Sequence, residues 1–495
     1  MDEGRAGQPV PTAAYVLIGA GGALSISVLA GAAQEIVAPL AIVVAGLAVA
    51  HRMLLRWDVL LGVIVIVILF VSIKRYELPA SLPFNLELYR VLVASVILLW
   101  VLSLLIDPRV RLGRSDFDAP LALVVAAIFA SELANRASVQ SLSSYVWKSL
   151  TFALSFLLVY YFTVSVIRRR RQIDVLLGVL VSGGALVAAA GIVERRIGYN
   201  VFDHLAGILP FLDFAGEKIL GRGGRLRVFA SAQHPIALGG LFAILIPIGF
   251  ALGFRRGRAW WVPTGLLALG VMATASRTPI VMLAASAGAL LWLKPKDTKR
   301  LIPFLVPAIV VVHVALPGAL GSFRNAFFPA GGLVAEQSAI PENADPLLAG
   351  GRIRLLSPSL ELWAERPLFG QGYGTRVTGF DEENRNAPIL DNQWLGSLLE
   401  IGLLGVAAWV WLLVRAVRRL GRAARDGPED DAWLYVGFAA AIVGFAVGMF
   451  TYDTFTFIQV TFIFWIILGL GAAALGLRAG DELRDSTEGF PDPTR

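Results

Sequence analysis

The stretch Pro235–Arg258, "PIALGGLFAILIPIGFALGFRRGR", joins a long apolar run to a dense group of arginines. A helix needs about 20 mostly apolar residues to cross the roughly 30 Å hydrocarbon core of a bilayer. The run that begins at Pro235 has that length and that character. Basic residues directly after such a run are typical of its cytoplasmic end. The same alternation of apolar run and basic cluster recurs along the chain and predicts the fold.

The composition points to the same class of protein. The 495 residues are 57% hydrophobic and 16% charged, with a mean hydropathy of +0.71. Soluble domains carry roughly 25% charged and 45–50% apolar residues, so we predict an all-α, polytopic integral membrane protein. The net charge of +7 does not indicate nucleic-acid binding, because the basic residues lie in short clusters between apolar runs. The chain has no cysteine, which excludes disulfides, thiolate catalysis and cysteine metal sites.

The sequence has about fourteen apolar runs that are candidates for membrane spans. Two of these runs are short, so we predict about 12–14 transmembrane helices. The runs begin near Ala14, Ile36, Trp57, Leu86, Ala119, Ser143, Ile173, Pro235, Ala259, Pro279, Leu301, Trp394, Ala432 and Thr454.

The basic clusters fix the expected orientation. With the N-terminus in the cytoplasm, every dense short cluster falls on the cytoplasmic side, as the positive-inside rule requires. The clusters are "HRMLLR", "DPRVRLGR", "RRRRQ", "FRRGR", "KPKDTKR" and "RAVRRLGRAAR". Both termini are then cytoplasmic, and two long extracytoplasmic loops are expected at about 194–234 and 317–393. We predict one transmembrane domain over 1–477 and a disordered cytoplasmic tail over 478–495.

Several arginines fall on the extracytoplasmic side, against the positive-inside rule. They are Arg225, Arg227, Arg277, Arg352 and Arg354. Their convergence on one face suggests an anionic ligand, since the planar guanidinium binds two phosphate oxygens at once and stays charged. Simpler roles remain open: solvation in a loop for Arg225 and Arg227, anchoring at the membrane interface for Arg277, and a solvent-facing position for one of the last two.

The motifs of soluble enzymes are missing from the sequence. It contains no phosphate-binding glycine loop, nucleophile elbow or paired-histidine metal motif, so we expect neither a metal nor another cofactor. His234, directly before Pro235, is either a helix-entry residue or a catalytic one.

Three segments together resemble the O-antigen ligase and O-antigen polymerase superfamily of bacterial membrane glycosyltransferases. They are "RLRVFASAQHPIALGGLFAILIPI", "ASRTPIVMLAASAGALL", and "GRIRLLSPSLELWAERPLFGQGYGT" followed by "DNQWLGSLLEIGLLG". The resemblance covers roughly Arg225 to Gly405.

This resemblance implies an enzyme of the bacterial inner membrane with an extracytoplasmic site. Such an enzyme moves a glycan from an undecaprenyl-pyrophosphate carrier to another glycan or to a lipid acceptor, without a metal. The family arginines match Arg225 or Arg227, Arg277 and Arg352. The resemblance implies that Arg277 and Arg352 are catalytic, together with Asp391. We expect the substrate to be bound by Arg225, Arg227, Arg354, Asn392 and His234. Polymerase and ligase both remain open. The alternatives are a polymerase of the peptidoglycan type and a non-enzymatic transporter, and the oligomeric state is not predicted.

Asp391 stands where this family most often has a histidine. A carboxylate cannot donate a hydrogen bond to a phosphate, so Asp391 is expected either to accept a proton from the acceptor hydroxyl or to cap the following helix. Glu400 lies nine residues further on, about 13 Å along a helix. It is expected to make a structural hydrogen bond, at a distance from Asp391.

Overall fold

The computed structural model describes residues 56–78, 87–107, 110–214, 227–328, 332, 353–378 and 385–488. The two expected spans near Ala14 and Ile36 lie outside these residues. The chain divides into two compact units, Met1–Val63 and Ile64–Arg495. The packing that forms the candidate site belongs to the second unit.

The described part of the chain is almost entirely helical. Its short antiparallel strand pair is β1 (Tyr76–Glu77) with β2 (Asp213–Phe214), and a 3-10 helix, Val201–Gly207, precedes β2. The α-helices are α1 (Trp57–Phe70), α2 (Leu88–Ile106), α3 (Asp118–Ala134), α4 (Arg136–Ser141), α5 (Ser143–Val166), α6 (Arg170–Ile197), α7 (Pro235–Arg256), α8 (Trp261–Ala273), α9 (Arg277–Leu293), α10 (Pro295–Lys299), α11 (Leu305–Ala315), α12 (Ala319–Phe327), α13 (Leu356–Glu365), α14 (Gln393–Asp426), α15 (Glu429–Gly448) and α16 (Ile458–Glu488).

These helices confirm the predicted fold class. Each predicted span within the described residues coincides with a helix that begins within four residues of the expected position. Eight described helices are long and apolar enough to cross a membrane, and α1 and α9 are shorter apolar helices. The protein is therefore an all-α, multi-pass membrane protein. Helix α16 continues to Glu488, past the boundary that the sequence suggested after Leu477.

Helix α7 lies at the centre of the packing, and its small residues allow its neighbours to come close. A Cβ built on Gly239 would lie 2.2 Å from Cγ of Pro279 in α9, and one on Gly249 would lie 2.3 Å from Oγ1 of Thr264 in α8. Small residues at such crossings let apolar helices pack by van der Waals contact where lipid offers no hydrophobic drive. The glycines of "PIALGGLFAILIPIGF" therefore place α8 and α9 against α7.

One end of the bundle gathers two of the basic clusters, "RRRRQ" and "FRRGR". Arg255 of α7 bonds Asp174 at 2.7 Å and Asp431 at 2.9 Å, and Arg256 also bonds Asp174 at 2.6 Å. Arg170 bonds the same Asp431 at 2.8 Å. The start of α6, the end of α7 and the start of α15 thus meet, and we call this the basic end.

The opposite end brings together the starts of α7, α9 and α14. The turn between α15 and α16 joins them: Gln393 N donates to Met449 O at 2.8 Å, and Thr278 Oγ1 donates to Thr451 O at 3.4 Å. The His234 ring lies 5.6 Å from the ring of Phe457. Three of the predicted site residues, His234, Arg277 and Asn392, therefore stand at helix starts on one end of the bundle.

Candidate functional site

A cavity of about 540 Å³ lies between α3 and α5, and we call it the cleft. At the basic end the two helices are joined through Ser115, whose Oγ lies 2.7 Å from the Tyr160 hydroxyl, and through Tyr161, which donates to Asp118 at 3.3 Å. Further along, their facing side chains line the cleft. From α3 these include Leu121, Val124, Ile128 and Phe129, and from α5 they include Phe152, Leu154, Phe156 and Leu157.

Four cationic side chains line the same cleft: Lys74, Arg90, Lys148 and Arg376. Glu87 is shared within this group, because it binds Arg90 at 3.0 Å and accepts the Lys74 backbone N–H at 2.6 Å. The cations outnumber this carboxylate, so this part of the cleft favours an anion. Sequence reasoning missed Lys74, Arg90 and Lys148, since lysines and arginines beside apolar runs usually indicate membrane anchors.

The inner side of the cleft depends on a break in α14. Gly402 has φ 63° and ψ −167°, which no residue in a regular helix adopts. The amides released by the break are satisfied by the preceding loop: Leu403 N donates to Pro367 O at 2.9 Å, and Leu404 N donates to Leu368 O at 3.2 Å. A broken helix at membrane depth requires such partners, because lipid offers none.

The carbonyls released by the break are satisfied by the same loop. Gln371 N donates to Leu399 O at 2.8 Å, and Gly372 N donates to Glu400 O at 3.2 Å. A Cβ built on Gly370 would lie 2.6 Å from the Glu400 carbonyl carbon, so the two backbones touch. The segment "PLFGQGYG" (367–374) is therefore rich in glycine because it docks into the break within "LEIGLLG".

This docking brings Glu400 and Arg376 to the cleft. Both side chains line it, and Glu400 Oε1 accepts the Gly374 N–H at 3.2 Å. Arg376 donates to Pro388 O at 3.1 Å. Burial lowers the pKa of Arg376, while the charges of Glu400 and Asp453 oppose that shift. Glu400 thus makes the backbone hydrogen bond expected from the sequence, but it also faces the cleft, which was not expected.

The start of α14 settles which residue caps this helix. Asn392 is the N-cap: its Oδ1 accepts the Leu395 N–H at 3.1 Å. Asp391 precedes it with φ 51°, in the left-handed region. The suggestion that Asp391 caps the helix is therefore wrong, because its neighbour occupies that position.

A second carboxylate, absent from the sequence-based candidates, meets this turn. Asp453 accepts the backbone N–H of Asn392 at 3.0 Å. Burial, and then the charge of Asp391, raise the pKa of Asp453 to about 6. Little in the sequence pointed to a functional role for Asp453, since it is a single acidic residue, within "TYDTFT", at the start of a predicted span.

His234 is the N-cap of α7. Its Nδ1 accepts the Ile236 N–H at 3.1 Å, so that nitrogen carries no proton. Burial, and then the charge of Arg227, lower the pKa of His234 to about 4. The helix-entry role considered from the sequence is the one that the structure displays.

The segment that leads to His234 is held on two sides. Glu194 accepts the Ala230 N–H at 2.9 Å, and Arg75 donates to the Ala230 carbonyl at 2.6 Å. The Arg75 guanidinium also lies 4.7 Å from the centroid of the Phe229 ring. Buried charges are thereby used to fix a loop backbone, which positions Arg227 and the start of α7.

The remaining predicted contacts lie in different places. Arg277 is the first residue of α9, and Arg354 lies just before α13; both are half-buried. Among the described residues, the cleft lining includes neither of them, nor Arg227. Arg225 and Arg352 lie outside the described residues.

A second cavity of about 560 Å³ lies between α4, α13 and the loop before α14. We call it the second cavity. Its polar side chains carry mainly hydroxyl and amide groups: Ser138, Ser141, Ser359, Gln371, Thr375 and Asn386. Arg376 lines both this cavity and the cleft. Within the described part of the chain, no group of three or more His, Asp or Glu side chains could hold a metal ion.

The chain was compared with known proteins and with models of protein families. No curated protein matches the chain. Residues 262–410 match a family model described as O-antigen ligase. This match includes Arg277, Asp391 and Glu400, whereas Lys74, Arg90 and Lys148 precede it. This match confirms, over residues 262–410, the resemblance predicted from the sequence.

Proposed function

We propose that this protein is a membrane glycosyltransferase of polysaccharide assembly that uses a prenyl-pyrophosphate-linked glycan, of the undecaprenyl type, as its donor. Transfer takes place on the outer leaflet of the bacterial inner membrane, to a second glycan or a lipid acceptor. The observation that carries this proposal is the cleft, which combines apolar sides with a group of cations.

The apolar part of the cleft suits a prenyl chain. Phe129 and Leu154 line it from opposite helices, yet they are 57% and 54% exposed. In a membrane these side chains face lipid, so the cleft is open to the hydrocarbon on that side. Removing apolar surface from water is worth about 25 cal/mol per Å². A prenyl chain that enters the cleft from the bilayer leaves lipid, not water, so it does not gain this energy. The shape and charge of the cleft must therefore select the carrier.

The charged part of the cleft suits a pyrophosphate. Lys74 and Lys148 are exposed and Arg90 is half-buried, so an incoming anion can reach them. Negative charge grows on the pyrophosphate as the bond to the sugar breaks. One preorganised contact to such charge is typically worth about 3–4 kcal/mol, and Arg376 lies on the inner side of the same cleft.

The reaction forms one bond and breaks one. The acceptor oxygen bonds to the anomeric carbon while the bond from that carbon to the pyrophosphate oxygen breaks. The electron pair leaves with the pyrophosphate, and the acceptor proton passes to a carboxylate.

Glu400 lines the cleft and is our first candidate for that base; Asp391 is proposed to contact the acceptor. Arg225, Arg227, Arg277, Arg352 and Arg354, with His234 and Asn392, are proposed as further substrate contacts or supports on the same side.

Binding of farnesyl pyrophosphate to the purified full-length protein in nanodiscs tests the donor site. We expect Lys148→Gln to weaken binding by about tenfold, since a lost charge-assisted contact costs about 1.4 kcal/mol or more. Arg258→Gln is the matched control, because Arg258 is exposed beside the basic end. Farnesol should bind poorly to all variants. If Lys148→Gln and the unmodified protein bound farnesyl pyrophosphate equally tightly, the proposed donor site would be refuted.

Lipid-linked glycans in a deletion strain distinguish polymerase from ligase. Accumulation of single lipid-linked units indicates a polymerase, and accumulation of long lipid-linked chains indicates a ligase. An unchanged profile of lipid-linked glycans would argue against either transfer reaction.

A further inference from the structure

The second cavity differs from the cleft in its chemistry. The cleft is lined mainly by apolar side chains with a cationic group, whereas the second cavity carries serine, threonine, glutamine and asparagine side chains. Its volume of about 560 Å³ falls within the usual range of about 300–1,000 Å³ for ligand pockets. Apolar side chains line it as well, but hydroxyl and amide groups are interspersed among them, so a ligand richer in polar groups than a prenyl chain is indicated.

Hydroxyl and amide groups match the hydroxyls of a sugar. A serine or threonine hydroxyl both donates and accepts, and the amide of Gln371 offers a donor and an acceptor together, whereas the Asn386 amide is occupied by the loop backbone. The same cavity holds Pro358, Pro388 and Leu362, whose apolar surfaces can pack against the C–H face of a sugar ring. Of its charged side chains, Glu365 and Arg366 are exposed, and Arg376 is half-buried between this cavity and the cleft.

The framework of this cavity is fixed by hydrogen bonds, which suits a preformed site. Asn386 accepts the Val377 N–H at 2.9 Å and donates to Thr375 O at 2.9 Å. On the other side, Asn135 donates to Gly370 O at 3.0 Å and also bonds Arg366. The loop is thereby tied both to itself and to the helix pair α3 and α4.

Arg376 connects the two cavities. It lines both of them, and it donates to the carbonyl of Pro388, which belongs to the second cavity. Leu399 of the second cavity and Glu400 of the cleft are consecutive residues of α14. A ligand in either cavity therefore reaches the same short stretch of the protein.

We propose that the second cavity binds the acceptor glycan, so that donor and acceptor approach Arg376 and Glu400 from different sides. This inference rests on the proposed glycosyltransferase function. The ligand is a neutral or weakly charged saccharide held by its hydroxyls, distinct from the prenyl pyrophosphate in the cleft.

The absence of cysteine from the chain makes a blocking experiment possible. Ser141→Cys places a unique thiol in the second cavity, where Ser141 is exposed to reagent. Gln140→Cys is the matched control, because Gln140 is exposed on the same helix and lines neither cavity. Both variants are labelled with a bulky maleimide. Polysaccharide output is measured in spheroplasts of a deletion strain, and farnesyl pyrophosphate binding is measured on the purified labelled protein.

We expect labelled Ser141→Cys to lose at least about tenfold in polysaccharide output while it binds farnesyl pyrophosphate like the unlabelled protein. Labelled Gln140→Cys should retain both properties. Undiminished output from labelled Ser141→Cys would overturn the inference, and so would a parallel loss of farnesyl pyrophosphate binding, which would assign the cavity to the donor. If the unlabelled chain itself bound no prenyl pyrophosphate, the proposed function would fail instead.

Discussion

Glu400 and Asp391 illustrate how little the residue type alone says about a role. Both are carboxylates near the start of α14, and the family resemblance drew attention to Asp391. The structure places Glu400 in the cleft beside Arg376, because the helix break and the docked glycine loop lie next to it. Asp391 lies before the cap, close enough to Asp453 to raise the pKa of that group. Position relative to the cleft therefore favours Glu400 as the base.

Substitution of each carboxylate by its amide separates the two roles. We expect Glu400→Gln to lower the rate of glycan transfer by about 100-fold, the lower part of the range for general-base catalysis, with farnesyl pyrophosphate binding retained. Asp391→Asn should cost about tenfold or less, because an amide can still contact an acceptor hydroxyl. Transfer rates in membranes, at matched expression, provide the measurement. A larger loss in Asp391→Asn than in Glu400→Gln would return the base role to Asp391.

At the scale of elements, the decisive feature is the docking of "PLFGQGYG" into the break in α14. Sequence alone could not show it. A glycine within an apolar helix is commonly a packing residue, and nothing local distinguishes Gly402 from Gly405. The distinction lies in the φ of 63° at Gly402 and in a partner loop about thirty residues earlier in the chain. The segment "PLFGQGYG" and helix α14 thus form one structural unit.

Gly402→Ala tests this unit. A Cβ at position 402 would lie 2.3 Å from Leu368 O, in a backbone conformation that costs a non-glycine residue about 1–3 kcal/mol. We expect a lower thermal unfolding temperature in detergent and a large loss of transfer, because the loop that carries Arg376 must move. Gly288→Ala in α9 is the control, since that Cβ meets nothing within 4 Å and alanine favours the helix. Unchanged stability and activity in Gly402→Ala would contradict the docking model.

For the whole molecule, the sequence predicted the helices well and the site only in part. Apolar runs are local signals, and those within the described residues coincide with helices. Convergence is a long-range property. Lys148 lies inside a predicted span, and Arg376 is one charge in an irregular loop, so neither carries a local signal of function. Lys148 and Arg376 reach a common cleft because α3 and α5 are separated and because the loop docks into α14. Neither feature produces a periodic pattern in the sequence.

The orientation in the membrane can be tested through the two ends of the bundle. The positive-inside rule predicts that the basic end, with the ion pairs of Arg255 and Asp174, faces the cytoplasm. Helix α4 joins the opposite ends of α3 and α5, so Gln140 should face outward. In the cysteine-free background, a membrane-impermeant maleimide should label Gln140→Cys in intact spheroplasts and Arg258→Cys only in inverted vesicles. The reverse pattern would place the two cavities on the cytoplasmic side. Glycan transfer on the outer leaflet would then be impossible at this site, however well prenyl pyrophosphate bound to it.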